Sequence, residues 1–144
     1  MADEHLLKRM KVYQATALFS VLFALMGFSY NVWRLEVTEH NSNVRSAAFE
    51  LLLQLAELEQ LVFAAHYDKD PVGGNPRVGW VKVGLVNDLS TSCSPEVADA
   101  ASALKDVWSE HWEPLPDRRA SAEAIVAAID ATRHQVQLVI SDLD

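Results

Sequence analysis

Apolar positions in this 144-residue chain follow two patterns. One stretch is apolar on all sides; four others are apolar on one side only. The first, residues 12–33, reads VYQATALFSVLFALMGFSYNVW and carries no charge. At 1.5 Å per residue a helix of this length spans about 33 Å, matching a hydrocarbon core of about 30 Å. Thr16, Ser20 and Ser29 can hydrogen-bond back to the helix, and Gln14 and Asn31 lie near its ends. Tyr13 at one end, and Tyr30 with Trp33 at the other, fall where aromatic belts meet the membrane interface. The segment runs out through Tyr30, Asn31, Val32, Trp33 and Arg34 with no small-x-small site, unlike a cleaved signal peptide. We read it as a single transmembrane helix.

After it, Val44, Ala48, Leu51, Leu52, Leu55, Leu58, Val62 and Ala65 recur at the three-and-four spacing of an amphipathic helix. Leu53, Leu61 and Phe63 widen that stripe beyond one face, which makes them candidates for contact with a partner. No proline or glycine separates Tyr30 from Tyr67, so this helix can continue from the span. The polar EHNSN at 39–43 is the place for a hinge or an N-cap. Residues 68–79, DKDPVGGNPRVG, predict a break. WVKVGLVNDL at 80–89 fits a helix through Val81, Leu85 and Leu89, and a strand through Val81, Val83 and Leu85; with no partner strand in view, helix is the reading.

Ser94, Pro95 and Glu96 form a helix-start signal: a side-chain acceptor for free amides, a residue preset for the first turn, and a negative charge at the positive helix end. Val97, Ala101, Leu104, Trp108 and Trp112 then keep one face apolar up to Pro114. A last helix begins at Asp117 or Ser121 and carries Ile125, Ile129, Val136, Ile140 and Leu143. The expected architecture is all-α: a tail at 1–11, the span at 12–33, and at 34–144 an antiparallel bundle of about four helices.

Charge divides the chain in the same way. Residues 35–144 hold 18 Asp/Glu against 8 Lys/Arg, whereas the first 34 hold 4 Lys/Arg and 2 Asp/Glu. An acidic domain without a basic stripe is a poor ligand for nucleic acid, whose affinity comes from Lys and Arg displacing counterions. Lys8, Arg9 and Lys11 before the span outweigh Arg34 directly after it. The positive-inside rule then puts the N-terminus in the cytoplasm and the domain outside, in the periplasm if the source has an outer membrane. The expected location is the inner membrane, with the lipid bilayer and other membrane subunits, or a second copy, as partners.

Chemistry-bearing residues are sparse. Asp68 and Asp70 open like a calcium loop, but Val72 stands at the third ligand position and Gly79 at the twelfth. The glycines of PVGGNPRVG lack the GK[ST] ending of a phosphate loop; Arg77 could hold an anion there, with Trp80 beside it. His5, His40, His66, His111 and His134 show no ligand spacing, although His66 and His111 could approach one another in a bundle. Trp108 and Trp112 read as core fillers more readily than as a pocket lining. The lone Cys93 reads as a small buried hydrophobe. No catalytic constellation or cofactor signature is legible, so the chain is read as non-enzymatic.

Two functions remain. The first is an accessory or assembly subunit of a membrane complex, acting through helix packing, with Ala17, Ser20, Ala24 and Gly27 letting a partner helix approach closely in lipid. The second is a ligand-binding sensor; one span followed by a helical bundle is similar in outline to the extracytoplasmic bundles of bacterial chemoreceptors, on no shared motif.

Overall fold

A computed structural model describes residues 2–143, and the side chains of Leu6 and of residues 8–143; His5 falls outside the described side chains. Four helices account for most of these residues, and no strand occurs among them: α1 (Ala2–His66), α2 (Pro76–Ser90), α3 (Pro95–His111) and α4 (Arg119–Asp142). By internal contacts the chain divides into two units, Met1–His40 and Asn41–Asp144.

Among its described residues the first unit is helix alone. It contains the one stretch among the described residues that is long and apolar enough to cross a membrane, and the protein buries none of it. Three of its polar side chains bond back to the helix, as a dry surrounding would demand. Thr16 Oγ1 donates to the Val12 carbonyl, Ser20 Oγ to Thr16 and Asn31 Nδ2 to Gly27, each four residues back.

The second unit is a bundle of the C-terminal part of α1 with α2, α3 and α4. Val44, Ala48, Leu51, Leu55, Leu58, Val62 and Ala65 of α1 are buried, joined by Val83 and Val86, by Val97, Ala101, Leu104 and Trp108, and by Ala122, Ile125, Ile129 and Val136. Each fully buried leucine or isoleucine contributes about 2 kcal/mol relative to exposure. Cross-contacts fix the directions. Gly79 and Trp80 of α2 meet Trp108 of α3; Thr132 Oγ1 of α4 donates to Ala100 O of α3 at 3.2 Å. Arg133 reaches back to Glu59, and Arg45 to Leu143 O. Each helix therefore runs antiparallel to the next, and α4 antiparallel to α1.

Local chemistry sets the helix ends. Ser94 caps α3 as expected, accepting from Val97 N at 3.3 Å. The Glu96 carboxyl is held below the usual carboxylate range by its own backbone amide and then by the Ser94 hydroxyl. α2 begins at Pro76, inside the break expected over 68–79, because Asn75 caps it (Oδ1 to Arg77 N, 3.0 Å) and Pro76 takes the first helical position. Residues 80–89 are helix, as read. The EHNSN stretch caps no helix, since α1 runs through it, and the boundary between the two units falls within it. α3 stops at His111, before Pro114; α4 starts at Arg119, between the two starts expected, with no side chain capping it.

Two helical glycines have opposite surroundings. A Cβ on Gly79 would meet the Trp108 ring at 2.2–2.3 Å, whereas one on Gly84 would meet nothing within 4 Å. Gly84→Ala should therefore stabilise the bundle by about 0.5–1 kcal/mol through helix propensity. Gly79→Ala should destabilise it by about 1–3 kcal/mol through overpacking. Thermal unfolding of the full chain in mild detergent, followed by the Trp fluorescence of the bundle, checks both signs.

Candidate functional site

The turn between α1 and α2 is used structurally. Lys69 takes a left-handed conformation (φ 53°), and Asp70 N donates to Ala64 O at 3.0 Å, ending α1. Asp70 Oδ1 accepts from Val72 N at 2.9 Å, so this carboxylate closes its own turn. Gly74 passes so close to α1 that a Cβ would lie 2.4–2.6 Å from Ala65. Close approach thus accounts for this glycine without a phosphate. Lys69 Nζ donates to Pro116 O and lies 3.7 Å from Asp117, and His66 Nδ1 meets Leu115 O at 2.9 Å; both tie the turn to the α3–α4 loop.

The described histidines do not converge on a ligand. His66 is engaged with Leu115 O, His111 Nδ1 lies 3.2 Å from Ser121 Oγ, and no cluster of three or more potential metal ligands occurs among the described residues. Arg77 stands exposed in the first turn of α2. The lysines near it are occupied, Lys69 as above and Lys82 by Glu57 and Gln54.

The tryptophans form one cluster. Trp108 is fully buried, and the Trp80 ring stands edge-on to Trp108 and to Trp112, with centroids 6.4 Å apart in each pair. Trp80, expected beside a recognition loop, is half-buried in this cluster and packs on the core. Leu61, expected at a partner surface, is only 4% exposed and belongs to the core, because α2 covers that side of α1 through the Lys82–Glu57 pair. Cys93 is half-buried against the core, and burial pushes its thiol above the ordinary range.

What stays open is apolar surface on helices. In the first unit Ala17, Ser20, Ala24 and Gly27 are exposed, and a Cβ on Gly27 would meet nothing within 4 Å. The large side chains around them, from Val12 to Trp33, are 45–73% exposed. In the second unit Phe49, Leu53 and Phe63 on α1, and Tyr67 just past its end, are 41–59% exposed. Of these, Leu53 and Phe63 are legible as stripe-widening residues; Phe49 and Tyr67 are found only by noticing that 49, 53, 56, 60, 63 and 67 repeat at alternating steps of four and three. Val78, Val81 and Leu85 on α2 are exposed too. An open groove of about 680 Å³ lies between the helices, lined by Glu57, Gln60, Phe63, Val78 and Lys82 among others.

The raised thiol yields a simple check. Cys93 in the folded protein should react with iodoacetamide at pH 8 more slowly than in the urea-unfolded chain, because less of it is thiolate when partly buried. Alkylation followed by intact mass reads this directly; equal rates would place the thiol in water. Comparison of the chain with protein-family models, with curated proteins and with solved structures finds no match.

Proposed function

We propose that this protein is a membrane-anchored accessory or assembly subunit, held by the apolar part of α1 in the inner membrane and acting through helix packing. The observation that carries the reading is the stretch of uncharged helix whose side chains find no cover in the protein itself. In water Leu18, Phe19, Leu22, Phe23, Leu25 and Phe28 would each forgo about 1.5–3 kcal/mol of burial, and lipid supplies that burial. Ala17, Ser20, Ala24 and Gly27 lie along the same stretch, and small residues permit close helix approach where every surrounding surface is equally apolar. The charge asymmetry around the span supports a cytoplasmic N-terminus and an acidic bundle on the far side.

Packing also fits the surface chemistry of the bundle. His66, His111, Lys69, Lys82 and the three tryptophans of the bundle are engaged in holding the fold, whereas apolar side chains on α1 and α2 are not covered. A subunit of this kind positions a partner and carries out no bond chemistry.

Three outcomes are expected. The full chain should pellet with membranes washed in alkaline carbonate, and Leu22→Arg, which costs about 2.5–3.5 kcal/mol at a span centre, should lower the pelleted fraction. Protease added outside osmotically opened cells should remove the bundle while leaving the N-terminal segment protected. Ala24→Leu with Gly27→Leu should keep the protein in the pellet yet strip most co-purifying subunits in mild detergent. Recovery of the wild-type chain in the carbonate supernatant would refute the anchor; unchanged co-purification of the double variant would refute packing through that face.

A further inference from the structure

We propose that the outward face of α1 in the bundle is a parallel coiled-coil seam that pairs two copies of this chain, an inference that rests on the membrane-anchored reading above. Phe49, Leu53, Ala56, Gln60, Phe63 and Tyr67 repeat with the seven-residue period of a two-stranded coil, and all six are exposed. They lie on the side of α1 away from the leucines of the core. The helix is already formed and held by its own bundle, so pairing pays no cost of ordering the backbone.

Three features select a second copy over an unrelated helix. The one polar residue in the seam is Gln60, whose amide both donates and accepts. In a parallel, in-register pair it meets its own counterpart and both find a partner, as single polar residues do when they fix the register of two-stranded coils. Next come the acids that border the seam. Glu57, one position after Ala56, is bound by Lys82 of α2, and Glu59, one position before Gln60, by Arg133 of α4 at 2.6 Å. At the centre of the seam each copy therefore neutralises its own border, whereas Glu50, one position after Phe49, is held only by the Gln54 amide. Last, one anchor per chain places every copy in the membrane with the same orientation, so that equivalent positions meet in parallel. Tethering to one surface raises the effective concentration toward the millimolar range, enough for a seam of fewer than three heptads.

The test uses the full chain in its native membranes, with Cys93→Ala and one new cysteine at a time: Leu53→Cys, Ala56→Cys or Phe63→Cys on the seam, and Ala131→Cys on the exposed side of α4 as control. Copper-phenanthroline oxidation should give a product of twice the chain mass from the seam positions, with yield about tenfold above Ala131→Cys. Adding Gln60→Glu to Ala56→Cys should lower that yield about tenfold, since two facing carboxylates oppose pairing while the exposed site leaves the fold intact. Equal yields at seam and control, or seam products of any mass other than twice the chain, overturn the proposal. Carbonate washing of the same membranes separates the two ideas: a chain that stays in the pellet but cross-links without preference refutes the pairing alone. Seam-specific dimers in a chain that washes off refute the anchor alone.

Discussion

Burial of the α1 leucine stripe beneath three shorter helices is the interaction from which the described architecture follows. Leu51, Leu55 and Leu58 are fully buried, and the α2, α3 and α4 residues that cover them come from segments that could not each bury an apolar face alone. A helix has several sides, and those three neighbours occupy only some of them. The Lys82–Glu57 pair marks where α2 lies along α1, and the Arg133–Glu59 pair marks where α4 lies. Between those two borders α1 remains uncovered, and that is where Phe49, Leu53 and Phe63 stand, with Tyr67 just past the helix end. The open surface is a geometric remainder of a four-helix solution in which one helix carries apolar residues on two faces.

Close packing sharpens the solution at one end. Trp108 lies against Gly79 with no room for a methyl group, and the same ring stands edge-on to Trp80. Its Nε1 is buried without a hydrogen-bond partner, a cost of about 1–3 kcal/mol that the surrounding burial has to offset. Charge plays a lesser part. The Arg119–Glu123 pair is largely exposed and adds little, whereas the Arg133–Glu59 pair is mostly covered and links two helices far apart in sequence.

Much of this was legible in the chain. Periodicity located the core faces of α1, α3 and α4, and Ser94–Pro95–Glu96 located the start of α3, because both signals are local and depend on few residues. Failures came where two local signals competed. Glycines and prolines over 68–79 read as a break, yet Asn75–Pro76 is a helix start within it, and tertiary contact with Ala65 and Trp108 is what requires Gly74 and Gly79. The polar EHNSN read as a hinge or a cap; it caps nothing, because a polar run costs an exposed helix little when no glycine or proline interrupts it, while the boundary between the two units does fall there. As for the surface, Leu53 and Phe63 were legible as surplus apolar residues, while Leu61 and Trp80 were not separable from them. Their burial depends on where α2 and α3 happen to lie, which periodicity on one helix does not specify.

The guanidinium of Arg45 donates to the carbonyl of Leu143, so the last turn of α4 returns to the beginning of the bundle. An even number of antiparallel helices brings Leu143 back to the pole at which Asn41 opens the bundle. A fusion made there would sit beside the Arg45 contact that closes the bundle. The DPVGGN turn, at the opposite pole with Pro71, Val72 and Gly73 all exposed, is the roomier address for a reporter or an epitope.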